Sequence, residues 1–323
     1  MKISLNQIDK LEVITLMDNV SDPFTVSHHG MRWNEFQYQF GVNDNKVMNG
    51  SDLCRACTGL SLLIKIFADD KQFNLLFDTG PDDGLVVENA KRLNVDLKTV
   101  DAIFLSHGHY DHYGGLISVL NAINKPGIPV YTHPDLFSPR AFIRGESQII
   151  PVNYNLTEEI VEKNGGKIIA SKKPELIFDD YILMSGEVDR VTDYESGAPN
   201  ALQDVNGEWQ AAPDVIDERT VIFKLKNKGV CIFTGCGHTG VINAVKHAQK
   251  LTSIDNIHLV MGGFHLAGPA YENRIEPTVN DLKILNSDYV ITGHCTGAKA
   301  QAVLASAFGD KHIPYGVATV FRF

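Results

Sequence analysis

The sequence predicts an α/β fold, in which a β-sheet carries helices on its outer face. Two observations lead there. Short apolar runs of strand type alternate with amphipathic helical stretches, and strand, helix, strand order of that kind packs helices over a sheet. The composition, 44 % hydrophobic and 21 % charged over 323 residues, is that of an ordinary globular core, large enough for one α/β domain or two.

Taken in order, LEVITLMDN at 11–19 reads as a first strand ending in polar turn residues. The stretch to about residue 53 is irregular and holds His28, His29 and Trp33. A loop this long is either a lid over a site, a surface wrap or an oligomer contact. TGLSLLIKIF at 58–67 and FNLLFDTG at 73–80 form a hairpin joined by ADDKQ. Asp78, at the end of its second strand, either accepts an imidazole N–H behind a metal ligand or caps a turn. Residues 85–93 are helical, 100–105 a buried strand, 116–122 a helix and 128–133 another buried strand. His133 closes that strand and is not read as a ligand.

From 134 to 213 the pattern weakens. This tract holds Arg140 and Arg144, a hairpin-like pair near KIIAS at 167–171 and YILMSGEV at 181–188, and the polar run GAPNALQDVNGEW at 197–209. Residues 218–238 then read as two strands around a Lys-Asn-Lys-Gly turn. A helix over 240–251 follows, and two further apolar runs, 257–265 and 288–297, each end in a glycine-flanked histidine, His265 and His294. Such repetition at successive strand mouths places the histidines on one edge of the sheets.

The chemistry concentrates in SHGHYDHYGG at 106–115, directly after the buried strand. Residues two apart in extended chain project to one side, so His107 and His109 point at one ion. Asp111 and His112 are offset and suit a second ion, roughly 3.5–4 Å away as in two-metal hydrolytic sites. Gly114 and Gly115 allow a sharp turn into the next helix. Burying this many imidazoles and a carboxylate beside a strand is costly unless something binds them.

The H-x-H-x-D-H string after an apolar strand resembles the signature of the metallo-β-lactamase-fold superfamily. LLFDTG at 75–80, FTGCGHTG at 233–240, MGGFH at 261–265 and ITGHCTG at 291–297 are similar to its branch of dihydropterin ribofuranosylaminobenzene-phosphate-synthase-like proteins. The resemblance runs from about residue 12 onward. It implies a single-domain four-layer αβ/βα sandwich of two mixed sheets, with a pocket-shaping insert around 134–213. It also implies that Cys236 stands where a bridging Asp is usual, and that His294 is the last metal ligand. Many members place a further histidine near SGEVDR, where this chain has Glu187 and Arg190. There is no histidine between His133 and His238, so the third ligand of the first metal is left open between His238, Glu187 and water. His238 lies two residues beyond Cys236 and is the candidate. His265 is expected to serve as a proton donor or a phosphate or carboxylate contact, and Asp111 to orient the attacking water.

Two divalent ions are expected, zinc first for a His- and Cys-rich set, with iron or manganese as alternatives. The net charge of −10 argues against a nucleic-acid surface. No run reaches the roughly 18 apolar residues of a membrane span, and the first residues lack a basic-then-apolar leader, so a cytoplasmic location is expected. Five cysteines form no disulfide framework, and Cys54 and Cys57 make one isolated C-x-x-C, read as reduced structural thiols in preference to a redox or metal pair. Three functions fit: a hydrolase of a small ester, lactone, thioester or phosphoester; a transferase or condensing enzyme of pterin-like substrates, with Arg140, Arg144, Lys172 and Lys173 available to a phosphate; or a metal-containing binding protein without turnover. A small-molecule substrate is expected in the first two, and a homo-oligomer is compatible with all.

Overall fold

The computed structural model describes residues 2–25, 30–42, 47, 49–82, 84–152 and 156–323. Its strand Ser61–Ala68 shows how the sequence makes layers. Leu62, Ile64 and Ile66 point into one buried cluster and Leu63 into another, because alternate side chains leave opposite faces of a strand. A run of consecutive apolar residues such as Leu62, Leu63 and Ile64 therefore belongs to a sheet covered on both sides.

That strand sits inside an eight-stranded sheet with the order Gly166–Ala170, Ile128–Thr132, Ala102–Phe104, Lys71–Phe77, Ser61–Ala68, Lys10–Met17, Val320–Arg322, Arg32–Trp33. A second large sheet runs Glu175–Ile177, Ile182–Met184, Val221–Leu225, Gly229–Thr234, Ile257–Gly262, Tyr289–Thr292, His312–Pro314, with Gln7–Ile8 paired beside Val221–Leu225. Phe77 and Phe104 of the first sheet meet Phe223, Phe233 and Met261 of the second in the shared core. Outside the first sheet, helix Leu116–Ile123 buries Leu116, Val119, Leu120 and Ile123, one stripe of a 3.6-residue period. Helices Val241–Thr252, Ile275–Leu285 and Ala298–Phe308 cover the second sheet in the same way. The layers are helix, sheet, sheet, helix, the sandwich expected above.

Strands 71–77, 102–104, 128–132 and 166–170 are mutually parallel, as are 229–234, 257–262, 289–292 and 312–314. Their C-terminal ends open on one edge of the sandwich, where α/β sheets present their ligand-binding loops.

Three expectations need correction. The runs 167–171 and 181–188 do not form a hairpin with each other. Gly166–Ala170 pairs with Ile128–Thr132 in the first sheet, whereas Ile182–Met184 pairs with Val221–Leu225 in the second. The hairpin partner of 182–184 is the nearer strand Glu175–Ile177, reached through a left-handed turn at Phe178, Asp179 and Asp180. The tract 134–213 is accordingly not one insert. Its flanks, Arg140–Arg144 with Gln148–Pro151 and Ala201–Val205 with Glu208–Ala211, make a separate four-stranded sheet, while its middle belongs to the two large ones. Finally, Gly114 and Gly115 have ordinary helical-side dihedrals, and they are needed for space instead. A Cβ on Gly115 would lie 2.2 Å from the Thr79 carbonyl oxygen.

The stretch 20–53 contributes Arg32–Trp33 to the edge of the first sheet, where the Arg322 guanidinium lies 4.8 Å over the Trp33 ring. His28 and His29 lie outside the described residues.

Candidate functional site

The loop after Ala102–Phe104 delivers its side chains by tight local geometry. Ser106 is anchored twice to Asp78, its amide donating to Oδ1 at 2.7 Å and its hydroxyl to Oδ2 at 2.7 Å. Asp78 holds a left-handed backbone, φ +58°, that turns its carboxylate inward between the loop and the sheet. The same Oδ2 lies 2.6 Å from His112 Nδ1. A carboxylate only accepts, so Nδ1 carries a proton and Nε2 is the nitrogen that faces the cluster. His107 Nε2 and His109 Nδ1 are 2.9 Å apart. Gly108, between them, donates its amide to Asp217 Oδ2 at 2.7 Å.

The second sheet supplies single residues at successive strand ends. Cys236 follows Gly229–Thr234, and its sulfur lies 3.3 Å from His112 Nε2 and 3.2 Å from His294 Nε2. The latter two nitrogens are 3.2 Å apart, with Asp111 Oδ2 at 3.7 and 3.6 Å from them. On the other side, His107, Cys236 and His238 bring their donor atoms within 4.8 Å of one another, and the ring centroids of His109 and His238 are 4.7 Å apart. Cys236 thus belongs to two groups of ligand atoms at once. A third group, sharing it again, contains His265 and Cys295.

Carboxylates behind the site fix this half. Glu218 accepts from the backbone amides of Cys236, Gly237 and Thr239 at 3.2, 2.7 and 2.6 Å, which shapes the loop that carries Cys236 and His238. Asp18 accepts from the His294 amide at 2.8 Å, and Asn19 Oδ1 lies 3.1 Å from His294 Nδ1, so His294 also presents Nε2 to the cluster. His265 and His294 take left-handed backbone, φ +45° and +49°. Non-glycine residues persist there only where surroundings impose it, and such strain collects at functional sites. Gly235 lets this half close on the first, since a Cβ there would lie 2.2 Å from Ser106 Oγ.

Burial, with neighbouring imidazoles, holds His107 and His238 well below the ordinary histidine value, and burial with Arg140 brings His109 down to about 4. These rings are neutral, the form that ligates metals. His112 goes the other way. Burial opposes its charge, but the Asp78 and Asp111 carboxylates outweigh this and raise it to about 9, so a cation taken up at Nε2 displaces the proton that the ring otherwise keeps there. Asp111 is pulled below the usual carboxylate range, burial being overcome by His112 and His294. Burial pushes the Cys236 thiol well up, so a thiolate there calls for a cation beside it. Both ring nitrogens of His238 are buried without a hydrogen-bond partner, as is His265 Nδ1. Buried polar atoms of folded proteins are otherwise nearly always paired, so orphaned donor atoms aimed at a cluster mark a place for a ligand.

Over the cluster lies a cavity of about 280 Å³ lined by Asp111, His109, Cys236, His238, His265 and His294 among others. Tyr271 stands edge-on to His265 with centroids 4.3 Å apart. The small sheet of 140–151 and 201–211 closes the cavity from the other side through Ala141, Phe142 and Leu202. Among the described residues of 20–53, none lines it; Asn19 and Thr58, at the flanks, do.

Several candidates fall elsewhere. His133 Nε2 and Lys172 both meet Glu187, at 3.1 and 3.6 Å, which takes Glu187 away from the cluster as a third ligand. Arg144, Lys172 and Lys173 are absent from the described cavity wall. Cys54 is buried with its sulfur 3.8 Å from the Asn89 carbonyl oxygen, and Cys57 is exposed, so the C-x-x-C pair is not turned inward together. Sequence reasoning passed over Cys295, whose sulfur lies 3.1 Å from the Cys236 carbonyl oxygen, along with Asp18, Asn19, Asp217 and Glu218. Only Cys295 carries a signal in the sequence, as the immediate neighbour of His294; the others reach the cluster through space, Asp18 across 276 positions.

The sequence matches the family model of the Metallo-beta-lactamase superfamily over residues 55–199. It is 32 % identical over 253 residues, 78 % of this chain and 85 % of the relative, to a 7,8-dihydropterin-6-methyl-4-(beta-D-ribofuranosyl)-aminobenzene-5'-phosphate synthase of Methanocaldococcus jannaschii. An uncharacterised protein of the same organism is 33 % identical over 250 residues, 76 % of this chain and 87 % of its own length. In three dimensions the fold is similar to that of a metal-dependent hydrolase of the beta-lactamase superfamily, with a TM-score of 0.68 at 22 % identity over 97 % of this chain and 98 % of that one.

Proposed function

Because the chain belongs to the metallo-beta-lactamase superfamily, we propose that its buried cluster holds two divalent metal ions and hydrolyses a small ester, lactone, thioester or phosphoester. The observation that carries this reading is the position of Cys236, one sulfur common to the His107/His238 and His112/His294 groups. His107, His109 and His238 would hold one ion, Asp111, His112 and His294 the other, with the Cys236 sulfur between them. The orphaned nitrogens of His238 and a thiol that needs a cation to ionise fit such ions. Imidazole with thiolate favours zinc, and the carboxylate also admits iron or manganese.

When bound, such ions lower the pKa of a water molecule toward neutrality and polarise a carbonyl or phosphoryl oxygen. The protein's own groups then set the geometry. Asp111, 14 % exposed on its side chain, faces the cavity from beside His112 and His294 and orients the attacking water through its carboxylate. Asp78 keeps His112 in one tautomer. His265, on the cavity wall beside Tyr271, is placed to hand a proton to the leaving group.

A second reading, a transferase or condensing enzyme of pterin-like phosphorylated substrates, draws on the 32 % identity to the synthase and on Tyr110, Phe142 and Tyr271 in the cavity wall, which suit a flat heterocycle. Metal content tests the shared premise. Purified protein should carry about two transition-metal ions per chain. Cys236→Ser should lose metal, while Cys231→Ser, in the strand core, should keep it. No metal after reloading, or equal occupancy in both variants, would overturn the assignment.

A further inference from the structure

The cavity has two chemically opposed walls. One is the polar cluster. The other comes from the small sheet and its flanks, where Ala141, Phe142, Val152, Ala201, Leu202 and Ala212 present hydrocarbon. We infer that this second wall receives the apolar part of the substrate, so that the site takes an uncharged ester, lactone or thioester bearing an alkyl or aryl group in preference to a phosphorylated compound. The inference rests on the hydrolase reading and names its substrate class.

Three observations support it. First, half of the six residues of this wall are alanine, whose small side chains leave room for a slot in the cavity, and Phe142 stands 39 % exposed at its edge. A methylene moved from water into such a slot tightens binding by about fourfold when fully buried.

Second, Arg140 is the one fixed cation of the wall among the described residues, and it is committed. Its Nη2 lies 2.7 Å from Asp217 Oδ2 and donates to the Asp135 carbonyl oxygen at 3.2 Å. Asp217 is itself buried and also accepts from the Gly108 amide between His107 and His109. Turning Arg140 toward a phosphate would take from the buried Asp217 carboxylate its guanidinium partner and leave it the Gly108 amide, a costly exchange. Beyond the metal ions themselves, the fixed charges of the wall therefore offer an incoming anion only a neutral ion pair.

Third, the net charge of −10 gives no long-range attraction for anions.

The test separates binding from turnover. Zinc-loaded protein is titrated by calorimetry with straight-chain alkyl hydroxamates of about two to about eight carbons, whose metal-binding head is constant while the tail grows. The same preparation is assayed with p-nitrophenyl esters of matching acyl length and with p-nitrophenyl phosphate and its diester. The expected result is a Kd that falls about two- to fourfold per methylene until the slot is full, and a kcat/KM for esters that rises in step. The phosphates should be at least about tenfold poorer. Ala212→Leu, which fills the slot from its margin, should bring saturation at a shorter tail with metal content unchanged. Phe142→Ala should weaken long tails and spare short ones. A Kd independent of tail length in folded, metal-loaded protein, or a preference for phosphate esters, overturns the inference. Turnover of esters without length dependence rejects the apolar wall and keeps the hydrolase. Length-dependent binding with no turnover of any ester keeps the wall and rejects the hydrolase.

Discussion

The two large sheets build the same cluster by different means. The first gives His107, His109, Asp111 and His112 from one loop, locked from behind by the Asp78 and Ser106 side chains. The second gives Cys236 with His238, then His265, then His294, from the ends of three parallel strands, and secures them largely through their backbones, by Glu218 and Asp18 and by left-handed turns. The first half is thus set by spacing within one loop, the second by register between strands far apart in sequence. Side-chain chemistry controls one half and strand alignment the other.

The sharpest way to break that contrast is to change charge in the first loop without changing shape. Asp111→Asn should lower kcat by roughly 10²-fold or more with a much smaller change in KM, because its carboxylate matters most as charge moves in the transition state. Steady-state kinetics on an ester from the series above, with metal content measured alongside, gives the answer. Near-normal kcat with both ions bound would take water activation away from the first loop. Next in size is Asp78→Asn, which keeps the volume but weakens the bond that fixes the His112 ring. Metal affinity should fall by about 10- to 100-fold, read by competition with a chelator. Unchanged affinity would mean that packing alone holds the loop.

The smallest expected effect lies at the outer strand of the second sheet. Burial brings His312 down to about 4 from 6.5. Its folded value lies below its unfolded one, so its contribution to stability is present above pH 6.5 and is lost as pH falls through about 4. His312→Gln, which can keep the bond to Thr292 Oγ1, should show a smaller fall of Tm between those two pH values than the parent protein. Identical slopes would assign the acid sensitivity of the second sheet elsewhere.

The same contrast explains what the sequence discloses. The first loop is legible because its ligands sit within six residues after an apolar strand, and the helix after it shows a plain 3.6-residue stripe. His238, His265 and His294 are visible as glycine-flanked residues at strand ends, but their meeting with the first loop depends on strand order, which no local pattern states. The partners of 166–170 and 182–184 are hidden for that reason, since two apolar runs near each other look alike whether they pair or part. The small sheet is harder still. Arg140–Arg144 and Ala201–Val205 mix charged, polar and apolar residues without a clean alternation, and their pairing spans residues that belong to other sheets. Asp18, Asp217 and Glu218 act through neighbours in space, so type and spacing alone give them no distinction from buried structural residues.

Strand Val320–Arg322 lies in the first sheet, between Lys10–Met17 and Arg32–Trp33, and Arg322 donates to Glu12 across 310 positions of sequence. On a ribosome, which releases the chain from its N-terminal side, Lys10–Met17 would wait with one edge open while almost all the intervening protein is made. The neighbouring Asp18 must likewise wait for His294. The loop at 107–112 is therefore synthesised long before the residues that complete its pocket, and a nascent chain displays half of the proposed site for much of its synthesis. Metal loading, as proposed above, would then be a late event, with the ion best delivered after release.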